Sequence, residues 1–395
     1  MQRSLHDAWW RLTTTPPSSF ADHLLSGLLG GGALLYGTGV ALKNQAYDRG
    51  WVRQATLPCP VISVGNLSLG GTGKTACVEY LAAKLLQQGL RVCILSRGYG
   101  GRSGRPYWLR ERQGQLLVNG EPIASPDGLP DEPQLLARRL SGVPVVVGAR
   151  REQTGLMACE EFHAEAVILD DGFQHRRVFR DLDVVLVNAR MPLGGGALLP
   201  RGPMREPLES LARAHVIVIT KADQSLELVA ALQERLRAVN PDAVIATAVH
   251  EPDAVRDWAT GAPVELERLA AGRVALLSSI GDPEGFEQTV RGLDAAVASH
   301  AAFPDHYRYR APEWERILRR AAASGAAALV TTEKDAVRLQ PFRRPVDSPA
   351  AVDTSSPARI VPARSQLPVL VLSVRMRLLS GEEQLHDRLG RVGAR

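Results

Sequence analysis

The chain has 395 residues, 45% of them hydrophobic and 23% charged, which predicts about two globular domains and excludes an intrinsically disordered chain. Its formal net charge of +5 is mild and only 5% of its residues are aromatic, which disfavours a nucleic-acid surface and favours anionic lipid or phosphate as the reason for the basic excess. Its four cysteines, Cys59, Cys77, Cys93 and Cys159, have no C-x-x-C spacing, so they indicate reduced thiols of a cytosolic protein and neither a zinc site nor a disulfide framework.

An uncharged apolar segment, LLSGLLGGGALLYGTGVAL, stands near the start of the chain at residues 24–42. Its nineteen residues would suffice for a membrane span, although six glycines weaken a helix and lower its hydrophobicity. Trp9 and Trp10 before it and Lys43 after it are typical of a membrane interface. Residues 1–52 are therefore predicted to be membrane-associated, with a helix in or on the bilayer, a buried soluble helix and a true span all open.

The next strand, loop and helix carry a phosphate-binding pattern. The apolar run from Cys59 to Asn66 predicts a strand, and the helical spacing of KTACVEYLAAKLLQQG ends at Gly89. The loop SLGGTGKT between them follows the pattern Gly-x-x-x-x-Gly-Lys-Ser/Thr except for Ser68 at its first position. Glycines let backbone N–H groups wrap a phosphate, and a glycine-rich turn without a ligand is the alternative. The predicted nucleotide-binding residues are Ser68, Leu69, Gly70, Gly71, Thr72, Gly73, Lys74 and Thr75.

Short β-rich runs alternate with helical stretches after this loop. They lie at residues 91–96, 143–149, 164–171, 182–189 and 215–223. Continuous apolar strands are typical of a parallel sheet that helices cover on both faces. The predicted fold class is therefore α/β, with a P-loop NTPase-type parallel sheet in a core domain over residues 53–225.

A second set of strands and helices predicts a smaller α/β domain at residues 226–339. Its strands are expected at residues 242–249, 273–281 and 326–336. Residues 340–366 are rich in Pro, Arg and Ser and lack an apolar period, which indicates a flexible insertion. Residues 367–395 return to a strand and then a short polar helix.

Two acids stand at the end of a predicted strand in the sequence VILDDGFQH. Asp170 and Asp171 lie where open α/β sheets bind ligands, and a P-loop protein needs an acid beside the Mg²⁺ that bridges the β and γ phosphates. Gln174 and His175 follow closely. The sequence predicts a magnesium site here, and a solvated turn after a buried strand is the alternative.

Two further motifs offer acids and a histidine. In PDEPQLLARR, Asp131 and Glu132 are expected in a loop before a helix that begins at Pro133, so a capping role competes with a catalytic one. In FPDHY, His306 stands beside Asp305, and a lone histidine is more often structural than catalytic. These residues by themselves leave both assignments open.

Three loops leave strand ends on the same predicted edge of the sheet. LLPRGPMREP places Arg205 and Glu206 after a glycine-rich turn, and SRGYG places Tyr99 beyond the second strand. TKAD, residues 220–223, is similar to the guanine-binding motif of GTPases, although a four-residue match is weak. It motivates an alternative function, a regulatory P-loop GTPase or metallochaperone, although metal delivery would favour Cys or His clusters that the sequence does not show.

Seven motifs taken together resemble the tetraacyldisaccharide 4′-kinase family, the lipid A 4′-kinases of Gram-negative bacteria: GNLSLGGTGKT, SRGYGG, DEPQLLARR, DDGFQH, LLPRGPMREP, FPDHY and TTEKDAVRL. They follow the family's order from about residue 60 to residue 340, and the N-terminal segment resembles the family's membrane-associated helix. The resemblance implies two α/β/α domains with the active site in the cleft, ATP and Mg²⁺, and transfer of the γ-phosphate to the 4′-hydroxyl of a tetraacyl glucosamine disaccharide 1-phosphate in lipopolysaccharide biosynthesis. It also implies a place at the cytoplasmic face of the bacterial inner membrane.

The resemblance further implies roles for single residues. It makes Asp131 the general base and His306 the residue that orients it, which agrees with the need of a sugar hydroxyl for a carboxylate that takes its proton. Lys74 and Asp171 are implied to act in catalysis with them, and Tyr99 to lie near nucleotide or acceptor. The implied phosphate contacts include Lys74, His175 and Arg205, and the implied magnesium ligands are Thr75, Asp170, Asp171 and Glu206.

Two positions depart from the family's pattern. Pro130 stands where the family has Gly before Asp-Glu-Pro, which bears on the loop geometry at Asp131. Tyr307 stands where the family has a second His, which bears on the contacts of His306. Ser68 is no departure, because the family's loop lacks the first glycine.

Overall fold

The computed structural model describes residues 18–98, 105–123, 128–342 and 367–393. Trp9, Trp10 and Tyr99 lie outside these residues, as does most of the predicted insertion at 340–366. Contacts between Cα atoms divide the chain into two compact units. The first contains the chain as far as His250 and again from Met376, and the second contains Glu251–Arg375.

The strands confirm the predicted α/β class with a mostly parallel sheet. In chain order they are β1 (Val61–Asn66), β2 (Val92–Ser96), β3 (Tyr107–Arg112), β4 (Gln115–Val118), β5 (Glu121–Pro122), β6 (Val145–Val147), β7 (Ala166–Asp170), β8 (Leu182–Asn188), β9 (Val216–Thr220), β10 (Val244–Asp257), β11 (Pro263–Val264), β12 (Arg273–Ser278), β13 (Ala296–Ala302), β14 (Ala328–Thr332) and β15 (Val369–Ser380).

The α-helices alternate with these strands. They are α1 (Phe20–Asp48), α2 (Lys74–Gln87), α3 (Asp131–Arg139), α4 (Arg151–Phe162), α5 (Leu226–Val239), α6 (Pro283–Arg291), α7 (Ala311–Ala323), α8 (Glu333–Leu339) and α9 (Glu382–Gly393). The chain passes between the two units within β10 and within β15.

The sheet of the first unit has the strand order β10-β9-β8-β1-β7-β2-β6-β3-β4-β5. β1 lies at its centre between β7 and β8, both parallel to it, and all six of its residues are buried. Ile62 and Val64 pack with Leu81 of α2, whereas Val61 packs with Ala158 of α4 on the opposite face. Helices on both faces explain why this strand reads as a continuous apolar run.

The strands of the second unit are parallel and follow the order β13-β12-β14-β15. Val274 and Leu276 of β12 pack with Phe286 of α6, and Leu277 packs on the other face with Trp314 of α7. The short hairpin strand β11 pairs antiparallel with the end of β10. Each face of these four parallel strands therefore has a helix of its own.

The units differ from the predicted domains at two places. Residues 226–250, expected in the smaller domain, belong to the first unit, where β10 begins alongside β9 with Val244 opposite Val216. The C-terminal stretch also returns to the first unit, where Leu385 and Leu389 of α9 pack into the core. The sequence pattern did not show that these segments belong to the first unit, because that depends on which neighbouring strand each segment pairs with.

Two parts of the sheets were absent from the predictions. β3, β4 and β5 form an antiparallel extension at one edge of the first sheet, so the sheet is mixed rather than wholly parallel. β13 is Ala-rich and half exposed, and alanine has a low strand propensity. Edge strands carry a weak apolar pattern, which is why the sequence did not reveal them.

The predicted apolar segment forms α1, which extends beyond 24–42 at both ends. It begins at a capping box, in which Ser19 accepts from the Asp22 amide and Asp22 accepts from the Ser19 amide. None of its residues is buried. Among the described residues it is the one helix long and apolar enough to span a bilayer, with a mean hydropathy of 1.4 in its best window.

Candidate active site

The phosphate-binding loop joins β1 to α2 at the carboxyl edge of the first sheet. Gly70 and Gly73 have φ angles of 113° and 84°, in the left-handed region that favours glycine. A Cβ on Gly73 would lie 2.3 Å from Nε2 of His250, so a larger residue there requires a shift. α2 begins at Lys74 with Gly73 as its N-cap, which places a helix N-terminus at the loop, an arrangement that favours a bound phosphate.

The ends of three parallel strands hold this loop. Asn66, last in β1, donates from Nδ2 to Oγ1 of Thr72 at 2.9 Å. Thr220, last in β9, donates to the carbonyl of Thr72 at 3.0 Å, and Asn188, last in β8, donates to the carbonyl of Gly71 at 3.3 Å. Because carbonyl oxygens repel phosphate, tying them to the sheet suits an anion-binding loop. Thr220 of the TKAD motif thus supports the loop.

Asp171 is the point at which two predicted phosphate contacts meet. Nζ of Lys74 lies 3.5 Å from its Oδ1, and Nη1 of Arg205 donates to both carboxylate oxygens, at 2.9 and 2.8 Å. Burial acts to raise the pKa of Asp171, but the charges of Lys74 and Arg205 outweigh burial and lower the pKa. Asp171 is therefore ionised at neutral pH and pairs with cations from two separate motifs.

Asp170 ends β7 and is only 3% exposed. Oγ of Ser96, at the end of β2, donates to its carboxylate at 3.3 Å. Burial, and after it the negative charges of Glu132 and Asp171, raise the pKa of Asp170. Three acids thus interact at this edge of the sheet, and Glu132 was not among the magnesium ligands predicted from the sequence.

Arg151 is a further residue of the site that the sequence analysis missed. It is 2% exposed, and its guanidinium donates to the carbonyls of Gly148 at 2.6 Å and of Asp170 at 3.2 Å. Burial lowers its pKa to about 10, so it stays a cation at neutral pH. A signal was available, because Arg151 stands in the first turn of α4, where the helix dipole disfavours a cation.

Asp131 is the first residue of α3, so the helix begins there and not at Pro133 as predicted. Pro130 is the N-cap, and its own side chain makes no capping hydrogen bond. Glu132 follows in the first turn and raises the pKa of Asp170 through its charge. The motif DEP thus starts the helix and brings one of its acids into the electrostatic environment of the magnesium candidates.

His175 lies beside the first turn of α4. Its Nε2 is 3.9 Å from Oε2 of Glu152, and its backbone carbonyl accepts from Nη1 of Arg180 at 3.1 Å. Burial, together with the charge of Arg151, lowers the pKa of His175 to about 4, so the ring is neutral at pH 7. Its contact with a phosphate stays a prediction.

Glu206 is 1% exposed and is held by an ion pair. Its Oε2 accepts from Arg213 Nη2 at 2.9 Å and from Asn44 Nδ2 of α1 at 2.9 Å. Burial acts to raise the pKa of Glu206, but Arg213 and Asn44 lower it. Its role as a magnesium ligand stays a prediction, whereas its neighbour Arg205 reaches Asp171.

His306 lies in the second unit and is described there by itself. Its backbone has a left-handed φ of 59°, and its amide donates to Oδ1 of Asp305 at 2.9 Å. Nη2 of Arg338 lies 3.4 Å from its Nδ1. Tyr307, the departure from the family's pattern, donates its hydroxyl to Glu313 Oε1 at 3.0 Å and packs against Phe303. Tyr307 is thus part of an aromatic cluster of the second unit.

The first unit therefore brings together the phosphate-binding loop, Lys74, Asp170, Asp171 and Arg205. They lie at the carboxyl ends of β1 and β7 and in the loop that precedes β9, the edge at which open α/β sheets bind ligands. Such a set of cations, acids and backbone amides can hold a nucleotide triphosphate and neutralise the charge that develops during phosphoryl transfer.

Comparisons with known proteins give matches over most of the chain. Residues 25–389 match the family described as LpxK, tetraacyldisaccharide-1-P 4′-kinase. The chain is 44% identical over 344 residues to the tetraacyldisaccharide 4′-kinase of Anaeromyxobacter dehalogenans (strain 2CP-C), which covers 85% of this chain and 86% of that protein. It is 40% identical over 319 residues to the enzyme of the same name from Syntrophus aciditrophicus (strain SB), which covers 79% and 84%.

A solved structure is also similar. The "apo" form of LpxK from Aquifex aeolicus, in complex with ATP, superposes with a TM-score of 0.67 at 31% identity, over 93% of this chain and 99% of that one. The likeness extends over residues of both units. The chain therefore belongs to the tetraacyldisaccharide-1-P 4′-kinase family.

Proposed function

We propose that this protein is an ATP-dependent kinase that transfers the γ-phosphate to the 4′-hydroxyl of a tetraacyl glucosamine disaccharide 1-phosphate, a step of lipid A biosynthesis. The observation that carries the proposal is the meeting of Lys74, Asp171 and Arg205 beside a glycine-rich loop at a helix N-terminus. The family matches support the kinase over a regulatory GTPase or metallochaperone, the alternative that TKAD suggested. Thr220, the first residue of TKAD, donates a hydrogen bond to the phosphate-binding loop, which gives this residue a structural role that does not require guanine binding.

The residues of this site fit a magnesium ion. Mg²⁺ prefers oxygen ligands, usually one or two carboxylates together with substrate phosphates. Asp170 is buried among negative charges that raise its pKa, and a divalent cation would relieve that charge. Asp170, Asp171 and Thr75 would hold the ion, which would neutralise charge on the β and γ phosphates when bound.

Lys74 and Arg205 would bind the phosphate oxygens of ATP. Both cations form ion pairs with Asp171, and these ion pairs keep their side chains ordered near the loop. Arg205 is planar and carries a fork of donors, which suits a bidentate contact to phosphate. Its backbone amide donates to the carbonyl of Leu67 at 2.6 Å, so the Arg205 backbone is fixed against the start of the loop.

Asp131 would take the proton of the acceptor hydroxyl, and His306 would act with it as a unit, as the family resemblance implies. Supporting the first role, Asp131 is the first residue of α3 and the N-cap position is occupied by Pro130, so Asp131 is not the N-cap residue of the capping alternative. A carboxylate base is required because a sugar hydroxyl is a weak nucleophile at neutral pH. The double variant described in the Discussion tests this pairing.

The N-terminal helix α1 would associate with the membrane that holds the lipid substrate. Leu24, Leu28, Leu34 and Leu35 are all at least 60% exposed, and an apolar helix face of this kind binds at a bilayer interface or within it. The place of action would be the cytoplasmic face of the bacterial inner membrane, where ATP is present.

The test is transfer of the γ-phosphate from labelled ATP to a 1-phosphorylated tetraacyl disaccharide in detergent, with GTP and lipid-free reactions as controls. We expect a lipid product that carries the label and depends on ATP and Mg²⁺. Folded protein that binds ATP without phosphorylating the lipid would contradict the proposal, and GTP hydrolysis without lipid would favour the GTPase.

A further inference from the structure

A buried polar cluster surrounds Asp335 in the second unit. Asp335 is fully buried and accepts from the Ser279 amide at 3.1 Å, from the Tyr309 hydroxyl at 2.9 Å and from the Thr332 hydroxyl at 2.7 Å. The hydroxyl of Ser279 donates to it as well. Thr332 and Asp335 of this cluster belong to the motif TTEKDAVRL, which carries part of the family likeness and had no role assigned to it. So many donors fix the carboxylate in one orientation.

Arg338 extends this cluster towards His306. Its side chain is 4% exposed. Its Nη1 donates to the carbonyl of Ser279 at 2.5 Å and to the Ser279 hydroxyl at 2.6 Å, and lies 3.4 Å from Oδ1 of Asp335. Its Nη2 lies 3.4 Å from Nδ1 of His306. The guanidinium is thus anchored at one end and presents its other nitrogen to the ring.

The chemistry of this contact assigns the proton of the ring. A guanidinium carries N–H donors and no acceptor, and it is always protonated in proteins. In this contact a neutral His306 ring accepts at Nδ1, and it then carries its proton on Nε2. An Nε2–H group is the donor that a carboxylate needs from a histidine that orients it.

We propose that Arg338 is a positioning residue, which fixes the Nε2–H tautomer and the orientation of His306, with Asp335 holding Arg338 in turn. The proposal rests on the catalytic role proposed above for His306. The left-handed backbone of His306 and the hydrogen bond from its amide to Asp305 hold the main chain at this residue. Arg338 holds the imidazole ring itself. Loss of a positioning contact misplaces a catalytic group and slows the chemical step.

The first test uses kinetics on the full-length enzyme. Arg338→Met keeps an unbranched apolar chain and removes every donor, and we expect it to lower kcat about 10- to 100-fold while KM for ATP changes little. Arg338→Lys keeps one donor and should recover part of the loss. Arg291→Met is the matched control, because Arg291 is an exposed arginine of the same unit that pairs only with Glu287 among its described contacts, and it should leave kcat unchanged.

The double variant separates positioning from general stability. If Arg338 acts through His306, Arg338→Met should have little further effect on kcat in a His306→Ala enzyme, because residues that act as a unit are not additive. Two losses that multiply would overturn the proposal. If His306→Ala itself leaves kcat unchanged, the role of His306 fails and with it the proposed function of that residue, which is a different outcome.

The second test needs no folded variant of Arg338. Nitrogen NMR of histidine-labelled wild-type enzyme, at a pH at which the ring is neutral, reports which ring nitrogen carries the proton, and His306→Gln identifies the signal among the nine histidines. We expect protonated Nε2 and unprotonated Nδ1. An Nδ1–H tautomer would overturn the proposal, whatever the stability of the Arg338 variants.

Discussion

At the level of single residues, the charge of Asp171 lies between two cations. Lys74 and Arg205 both contact its carboxylate. Asp171 is therefore the counter-ion of both cations when no phosphate is bound. A triphosphate would attract both cations more strongly than one carboxylate does, because it carries more charge and more acceptor oxygens. Asp171 would then be released towards the metal. We therefore expect these ion pairs to exchange partners when nucleotide binds.

The first prediction concerns Lys74. Lys74→Ala removes the cation nearest the loop and should abolish detectable lipid phosphorylation while the far-ultraviolet circular dichroism stays that of the wild type. Lys84→Ala is the matched control, since Lys84 lies on the same helix and pairs with Glu382 near the surface, and it should retain full activity. Wild-type turnover by Lys74→Ala would refute the assignment of the loop.

The second prediction concerns Asp131 and His306. Asp131→Asn keeps the size of the side chain but cannot accept a proton, so kcat should fall roughly 10²- to 10⁴-fold with little change in ATP affinity. His306→Ala should also lower kcat, and the double variant should lose less than the product of the two single losses. Rates and ATP binding of the three variants decide the matter. A fully active Asp131→Asn enzyme would leave the base to be sought among Asp170, Asp171 and His175.

At the level of elements, α1 makes contacts that a membrane anchor alone would not need. The hydroxyl of Tyr36 donates to the carbonyl of Arg205 at 2.9 Å, and Nζ of Lys43 donates to the carbonyl of Gln174 at 2.8 Å. Gly37 lets the helix approach, since a Cβ there would lie 2.8 Å from Leu198. The same helix therefore supports the two loops that carry Arg205 and His175 while its outer face stays apolar.

The third prediction separates these two faces of α1. Asn44→Ala removes the bond to the buried Glu206 and should lower kcat several-fold by loosening the Arg205 loop, at an energetic cost of about 1–3 kcal/mol, without changing binding to vesicles. Leu34→Ser with Leu35→Ser changes side chains that are 75% and 78% exposed and should weaken sedimentation with phosphatidylglycerol vesicles while activity in detergent stays close to that of the wild type.

The opposite result for the leucine variant would show that the outer face of α1 supports the fold and does not bind the membrane. If the leucine variant lost activity in detergent and still sedimented with vesicles, another surface would hold the lipid. Deleting residues 1–45 is a less selective experiment. It should move the protein towards the soluble fraction, but it also removes Tyr36, Lys43 and Asn44 and so should lower activity for a second reason.

At the level of the whole molecule, the residues proposed to bind nucleotide belong to the first unit, whereas His306 belongs to the second. Each unit has helices on both faces of its strands and a core of its own. Binding of ATP should therefore depend on the first unit, whereas transfer of its phosphate should depend on both. Variants of the second unit should affect the chemical step more than nucleotide affinity.

The fourth prediction tests this division by amide hydrogen exchange. A non-hydrolysable ATP analogue with Mg²⁺ should slow exchange in residues 67–77 and 170–175, because ligand binding lowers the population of open states. His306→Ala should show the same protection. Removal of the metal with EDTA should reduce it, since Asp170 and Asp171 then repel the phosphates. Protection confined to residues 273–339, or unaffected by EDTA, would contradict the site.

The sequence by itself determined the class of the fold, the loop and the strand-end acids. A parallel sheet buried on both faces must be built from continuous apolar strands, and a phosphate loop needs glycines at fixed spacing, so both leave local patterns that can be read from one chain. The motifs in their order also carried the family likeness. Helix α1 was visible for the same reason, because its apolar length is a local property.

Only the tertiary structure decided which distant side chains meet. Four contacts join residues that are separated in the chain, and no sequence spacing predicts them. They are the contacts of Arg205 with Asp171, of Arg151 with Asp170, of Asn44 with Glu206 and of Arg338 with His306. The start of α3 at Asp131 and the return of the C-terminal helix to the first unit depended likewise on packing against the sheets. A local sequence pattern shows which side chains of a segment must be buried or paired. Which residues they pack or pair with is decided by the order of the strands in the sheet.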